Sequence, residues 1–145
     1  MEQKVNFFKT NPETMKFMNS LEQRVVSSGF ELSLIELIKL RVSQINGCSY
    51  CIDMHSAAAR KLGESERRLS VLSVWKDTPF FTERERAALQ WAELITLISE
   101  SHITEERWEN ISVFFTEAEI VDLTFIVTTT NAWNRFAIAF KKYPT

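Results

Sequence analysis

The chain has only three glycines among its 145 residues, and each of them follows a segment with helical periodicity. Gly29, Gly47 and Gly63 stand where a helix commonly ends in a left-handed residue, a conformation that glycine adopts without steric cost. Prolines are equally few, at three. An all-β fold needs many tight turns and therefore many of both residues. The number and placement of the glycines predict an all-α fold.

Apolar residues at helical spacing predict about seven helices, arranged as one helical bundle. Asn11 followed by Pro12 is typical of a helix start, and Thr82–Glu85 and Thr116–Glu119 each form a capping box. The predicted segments are residues 12–28, 31–45, the stretch from Cys48 to Gly63, 65–75, 83–99, 104–114 and 117–142. The Cys-x-x-Cys motif thus lies at the start of a central helix.

The last predicted helix is unusual because it is apolar on nearly every side. Its middle, Thr124 to Thr130, is rich in β-branched residues, but the capping box directly upstream and its length favour a helix over a strand. A small domain cannot easily bury such a helix completely. Two interpretations stay open, a subunit contact and a fully internal helix.

Composition limits the class of protein. With 45% hydrophobic and 25% charged residues, we expect a single globular domain over residues 1–145. The net charge is −2 and the basic residues are scattered, which predicts no nucleic-acid partner. Met1 to Thr10 has no apolar signal core, and no apolar run reaches the roughly 20 residues of a membrane span, so we expect a cytoplasmic protein without a membrane partner. In that compartment a Cys-x-x-Cys is more often catalytic or metal-binding than structural.

Both cysteines and one of the two histidines lie in the stretch from Asn46 to His55. In a helix, Cys48, Cys51 and His55 fall within about 60° of one another on one face. Structural zinc sites usually draw pairs of ligands from two separate segments, and the chain has no second pair, so zinc is disfavoured. Simple burial of the two thiols is the structural alternative. Redox chemistry is favoured, because cysteines three residues apart can form a disulfide, a helix N-terminus favours a thiolate, and a histidine can take its proton.

The run from Glu36 to His55 resembles the carboxymuconolactone decarboxylase family, within it the alkylhydroperoxidase D-like branch. That branch shows a glutamate twelve residues before the Cys-x-x-Cys and a histidine four residues after it, and Glu36, Cys48, Cys51 and His55 match this pattern. The likeness continues through residues 79–87 and 131–135 and covers roughly residues 12 to 140.

The resemblance implies a fold, an activity and partners. It implies an all-α, alkylhydroperoxidase D-like protein that assembles as a homo-oligomer, trimer or hexamer, and a thiol peroxidase that reduces hydroperoxides in antioxidant defence. Cys51 would be the peroxidatic thiolate, Cys48 the resolving cysteine that exchanges with the reductant, and Glu36 and His55 a proton relay. The reductant would be a thiol or a lipoylated carrier protein. No cofactor and no metal are implied, and decarboxylation is not expected, because the decarboxylases of the family lack the cysteine pair.

The nucleophile, the role of Glu36 and the function each have an alternative interpretation. Founding members of the branch carry a histidine directly before the second cysteine, where this chain has Tyr50. From the helix dipole alone, Cys48 would be the nucleophile, since it lies nearer the helix N-terminus. Glu36 could instead form a solvated pair with Lys39. The alternative functions are a non-enzymatic redox-sensing or structural oligomeric module of the same fold, and a zinc-holding domain.

Overall fold

The computed structural model describes residues 1–145 and contains helices but no strand. The helices are α1 Phe7–Thr10, α2 Pro12–Val26, α3 Leu32–Asn46, α4 Ser49–Lys61, α5 Glu66–Val71, a 3-10 helix Leu72–Asp77, α6 Glu83–Thr96, α7 Glu105–Phe114 and α8 Glu117–Ala139. The predicted all-α fold, with the Cys-x-x-Cys at the start of a central helix, is confirmed. No helix combines the length and apolarity needed to cross a membrane.

The capping signals in the sequence are used as predicted. The Asn11 side chain accepts a hydrogen bond from the Thr14 N–H at 3.1 Å. At the start of α8 the Glu119 N–H donates to the Thr116 hydroxyl at 3.2 Å, and the Thr116 N–H donates back to the Glu119 carboxylate at 2.8 Å. All three glycines have a positive φ, between 69° and 93°, as their positions after helices predict.

Some boundaries differ from the prediction. The short helix α1 was not predicted, because four residues carry no periodicity; the Asn6 side chain caps it and Phe7 buries its ring. The predicted helix 65–75 is divided, since Val74 leaves helical geometry (φ −121°, ψ 30°) and residues 72–77 form 3-10 turns. Helix α6 ends at Thr96 and α8 at Ala139, earlier than predicted.

Helix α3 is central and packs against α4, α6 and α8. The main core is formed by apolar side chains of α2, α3, α6, α7 and α8, among them Ile38, Ala88 and Leu123. The β-branched middle of α8 is helical as predicted, and hydroxyls there bond back to carbonyls one turn earlier, as with Thr130 to Ile126 at 2.8 Å. Val121 and Ile138 of α8 are exposed, so the interpretation of α8 as a fully internal helix is wrong for the single chain.

A second core joins the segment 72–81 to the rest of the bundle through Leu72, Trp75 and Phe81. The carboxylate of Glu93 on α6 ties this segment to α3. It accepts hydrogen bonds from the Trp75 indole at 2.8 Å and the Arg41 guanidinium at 3.0 Å, and it pairs with the Lys76 ammonium at 2.7 Å. Burial alone would raise the pKa of Glu93, but these donors hold it below its usual value.

Candidate active site

The turn at Gly47 places the first cysteine at the start of α4. Helix α3 ends in Gly47, whose φ of 69° lies in the left-handed region. The backbone then reverses, and the Cys48 N–H donates to the Ser43 carbonyl at 3.1 Å. Cys48 becomes the N-cap of α4, where its Sγ accepts a hydrogen bond from the Cys51 N–H at 3.3 Å. A sulfur at this position faces the positive end of the helix dipole.

Cys48 and Cys51 are joined by a disulfide, with their Cα atoms 5.3 Å apart. Both are buried, with exposures of 1% and 2%, and they pack against Ala137 of α8 and against Tyr50. The chain has no other cysteine. The predicted pair therefore lies at redox-active distance, enclosed between the start of α4 and the end of α8.

His55 lies one turn beyond Cys51 on α4 and is also buried. Its Nδ1 is 2.8 Å from Oε2 of Glu36, which projects from the middle of α3. A carboxylate accepts only, so Nδ1 carries the proton of this bond, and in the neutral ring Nε2 is then the free acceptor. The structure thus brings together all four residues predicted for the site.

Two charged residues of the site were not predicted. Lys39, one turn beyond Glu36, is only 4% exposed, and its ammonium is hydrogen-bonded to Glu22 of α2 and lies 3.9 Å from Glu36. The indole of Trp133 donates to the other oxygen of Glu22 at 3.2 Å. The interpretation of Glu36 and Lys39 as a solvated pair is therefore wrong. The apolar pattern around Lys39 was the available signal of its burial, whereas nothing in the sequence links Glu22 to α8.

A cavity of about 260 Å³ opens beside these groups. Its inner wall includes Cys51, His55 and Lys39, all of them buried. Cys48 does not line it. A ligand in the cavity would consequently meet Cys51 and His55, whereas Cys48 lies outside the lining.

The N-terminal helix closes one side of the cavity with aromatic rings. The Phe7 ring lies 5.6 Å from that of Phe136, and Phe8 stacks on Trp133 at 6.0 Å. The Lys4 N–H donates to the Phe140 carbonyl at 3.0 Å, which ties the segment before α1 to the end of α8. Phe7, Phe8 and Trp133 therefore give the cavity an aromatic wall.

Polar residues of α8 hold the end of α3 in position. The Asn46 side-chain amide donates to the side-chain oxygens of Asn131 and Asn134 at 3.0 and 2.9 Å, and the Asn134 amide donates to the Ser43 hydroxyl at 3.1 Å. These amides are satisfied within the chain, so they are structural. They fix the turn that precedes Cys48.

Comparison with known proteins gives consistent results. The model of the carboxymuconolactone decarboxylase family matches residues 12–94. The uncharacterised protein YdfG of Bacillus subtilis is 41% identical over 139 residues, covering 96% of this chain and 95% of YdfG.

Solved structures agree with this relationship. ATU0492 of Agrobacterium tumefaciens, a protein of unknown function suggested to be the antioxidant defence protein AhpD, superimposes with a TM-score of 0.96 at 40% identity over 99% of both chains. The debrominase Bmp8 shares the fold, with a TM-score of 0.81 at 19% identity over 95% of this chain and 75% of its own. The chain belongs to the carboxymuconolactone decarboxylase family and has its alkylhydroperoxidase D-like fold.

Proposed function

We propose that the chain is a thiol peroxidase that reduces organic hydroperoxides through Cys51 and Cys48. The position of Cys51 carries this proposal. Cys51 is bonded to Cys48 and lines a cavity beside the Glu36–His55 pair. The likeness to ATU0492 supports a role in antioxidant defence.

The first step consumes the hydroperoxide. His55 accepts the proton of the Cys51 thiol, and the thiolate attacks the terminal, hydrogen-bearing oxygen of the hydroperoxide. The S–O bond forms as the O–O bond breaks, which leaves a sulfenic acid on Cys51 and an alkoxide. The imidazolium returns its proton to the alkoxide, giving the alcohol, and Glu36 stabilises the charged ring through the 2.8 Å hydrogen bond.

The second step forms the disulfide and releases water. The sulfur of Cys48 attacks the sulfur of the Cys51 sulfenic acid, the S–O bond breaks, and the hydroxide leaves with the Cys48 proton. The 5.3 Å between the two Cα atoms permits this bond. A dithiol, free or carried as a lipoyl group on a protein, then supplies two electrons and two protons and is itself oxidised to a disulfide.

Access favours Cys51 over Cys48 as the peroxidatic residue. The dipole of α4 favours a thiolate at Cys48, its N-cap. Cys48, however, does not line the cavity, so a peroxide there reaches Cys51 first. A stabilised Cys48 thiolate suits a resolving cysteine, which acts as nucleophile in the second step and as leaving group during reduction.

We further propose that the protein is cytoplasmic and homo-oligomeric, as a trimer or a hexamer. Support for assembly comes from α8, on which Val121 and Ile138 are 68% and 46% exposed although the helix is apolar. A helix that is apolar on nearly every side is normally buried, so its exposed part is a candidate for a contact between subunits.

Steady-state kinetics test the activity against the alternative of a redox-sensing or structural module. Cumene hydroperoxide consumption is followed with dihydrolipoamide as reductant, for the wild type and for Cys51→Ser. Catalytic turnover that Cys51→Ser abolishes supports the proposal. A single stoichiometric oxidation without turnover, across a panel of dithiols and lipoylated carriers, favours the sensor.

A further inference from the structure

Two lysines line the cavity, and Lys142 is the one without an acidic partner. Lys39, the other lysine in the lining, is paired with Glu22 and lies close to Glu36. No carboxylate oxygen lies within 4.0 Å of the Lys142 ammonium. The charge of Lys142 is thus uncompensated in a cavity whose other charged groups are already engaged.

The residues after α8 place this charge beside Tyr50, the residue before Cys51. Lys141 adopts a left-handed conformation with a φ of 53°, and the Lys142 N–H donates to the Ala137 carbonyl at 2.9 Å. The Nζ of Lys142 lies 4.1 Å from the centre of the Tyr50 ring. It also lies 5.4 Å from the ring of Phe8. Aromatic faces attract a cation, but they cannot neutralise it as an anion can.

The size and lining of the cavity limit what can enter. The cavity of about 260 Å³ is open on one side and has room for a ligand built on a single aromatic ring. The rings of Phe7, Phe8 and Trp133 favour a flat, apolar body.

We propose that the cavity binds a small aromatic hydroperoxide that carries a carboxylate, with the carboxylate on Lys142 and the peroxide at Cys51. This substrate class rests on the proposed peroxidase function. A charge-assisted hydrogen bond in a partly buried site changes affinity by roughly tenfold to a hundredfold. The carboxylated substrate is therefore preferred over its neutral analogue by about tenfold or more.

The test compares cumene hydroperoxide with its 4-carboxy derivative. The measured quantity is the ratio of the two kcat/KM values, which cancels any general loss of activity in a variant. We expect a ratio of about ten or more for the wild type and for Lys142→Arg, and about one for Lys142→Met. The control Lys141→Met removes the same charge from a side chain outside the cavity lining, and it keeps the wild-type ratio. A wild-type ratio near one, or an unchanged ratio in Lys142→Met, overturns the proposal.

A binding measurement separates this inference from the peroxidase function. Calorimetry with 4-isopropylbenzoate, which has no peroxide group, is carried out on the disulfide form of the same four proteins. Weaker binding by about tenfold in Lys142→Met alone supports the anion site even if no peroxide is turned over. Turnover of both hydroperoxides with equal binding in all four proteins overturns the anion site and leaves the peroxidase function intact.

Discussion

The substitution Glu36→Gln tests the proposed proton relay with little change in shape. Glutamine keeps the length of the side chain and can still accept a hydrogen bond from His55 Nδ1, which lies 2.8 Å from the carboxylate. It removes the negative charge that stabilises the imidazolium formed when His55 takes the Cys51 proton. We expect slower reaction with hydroperoxide and nearly unchanged folding.

The hydrogen bond between Glu36 and His55 sets the expected loss of rate, and the pairing of Lys39 sets the expected change in stability. A hydrogen bond to a charged group contributes about 1.5–3 kcal/mol and a neutral one about 0.5–1.5 kcal/mol, so the substitution removes about 1–1.5 kcal/mol from the relay. At 1.36 kcal/mol per factor of ten, the rate of Cys51 oxidation falls by about five- to thirteen-fold. Stability changes by less than about 1 kcal/mol, because Lys39 keeps Glu22 as its nearer partner.

Stopped-flow fluorescence of the reduced protein mixed with cumene hydroperoxide measures the rate, and urea denaturation measures the stability. The matched control is Glu93→Gln, which removes a partly buried carboxylate outside the cavity and should lower stability but leave the oxidation rate unchanged. A wild-type rate in Glu36→Gln would refute the relay. Equal slowing in both variants would show that the rate follows stability alone.

Three further predictions concern stability and access. Glu93→Gln should cost about 2 kcal/mol near neutral pH, because it leaves the guanidinium of Arg41 without its carboxylate. Since folding lowers the pKa of Glu93, its charge stabilises the protein above the pKa of the unfolded chain, about 4.3. Urea titrations should therefore show that the difference in free energy of unfolding between wild type and variant shrinks as the pH falls below about 4. Gly47→Ala should cost about 1 kcal/mol in the same assay from backbone strain alone, as a Cβ there meets no atom within 4 Å; an unchanged stability would contradict the left-handed turn. Ala137→Leu should fill space beside Cys51 and lower kcat/KM more for cumene hydroperoxide than for hydrogen peroxide, whereas equal effects would argue against entry through the cavity.

Local signals in the sequence predicted much of the fold. The capping boxes at Thr82 and Thr116 act within four residues, so they could be read without knowledge of the tertiary structure. The same is true of Gly47, whose conformation depends on the chain on either side of it. Helix α1 carried no such pattern, because it depends on the packing of Phe7 against α8.

The candidate site was predictable where its residues lie close together in sequence. Cys48, Cys51 and His55 share one helical face, and the family pattern added Glu36. The contact between Glu22 and Trp133 joins residues 111 positions apart, and no periodicity encodes a contact at that separation. The cavity and the placement of Lys142 likewise depend on how α1 and the end of α8 meet.

The most direct test of the proposed function is a single turnover of the reduced protein with one equivalent of cumene hydroperoxide. Free thiols are titrated, the alcohol product is quantified, and peptides are analysed by mass spectrometry. We predict the loss of two thiols and the formation of one alcohol per chain in the wild type. We also predict a sulfenic acid trapped on Cys51 in Cys48→Ser. Two titratable thiols after full exposure to the peroxide, or a sulfenic acid on Cys48 in Cys51→Ser formed at the wild-type rate, would contradict the account.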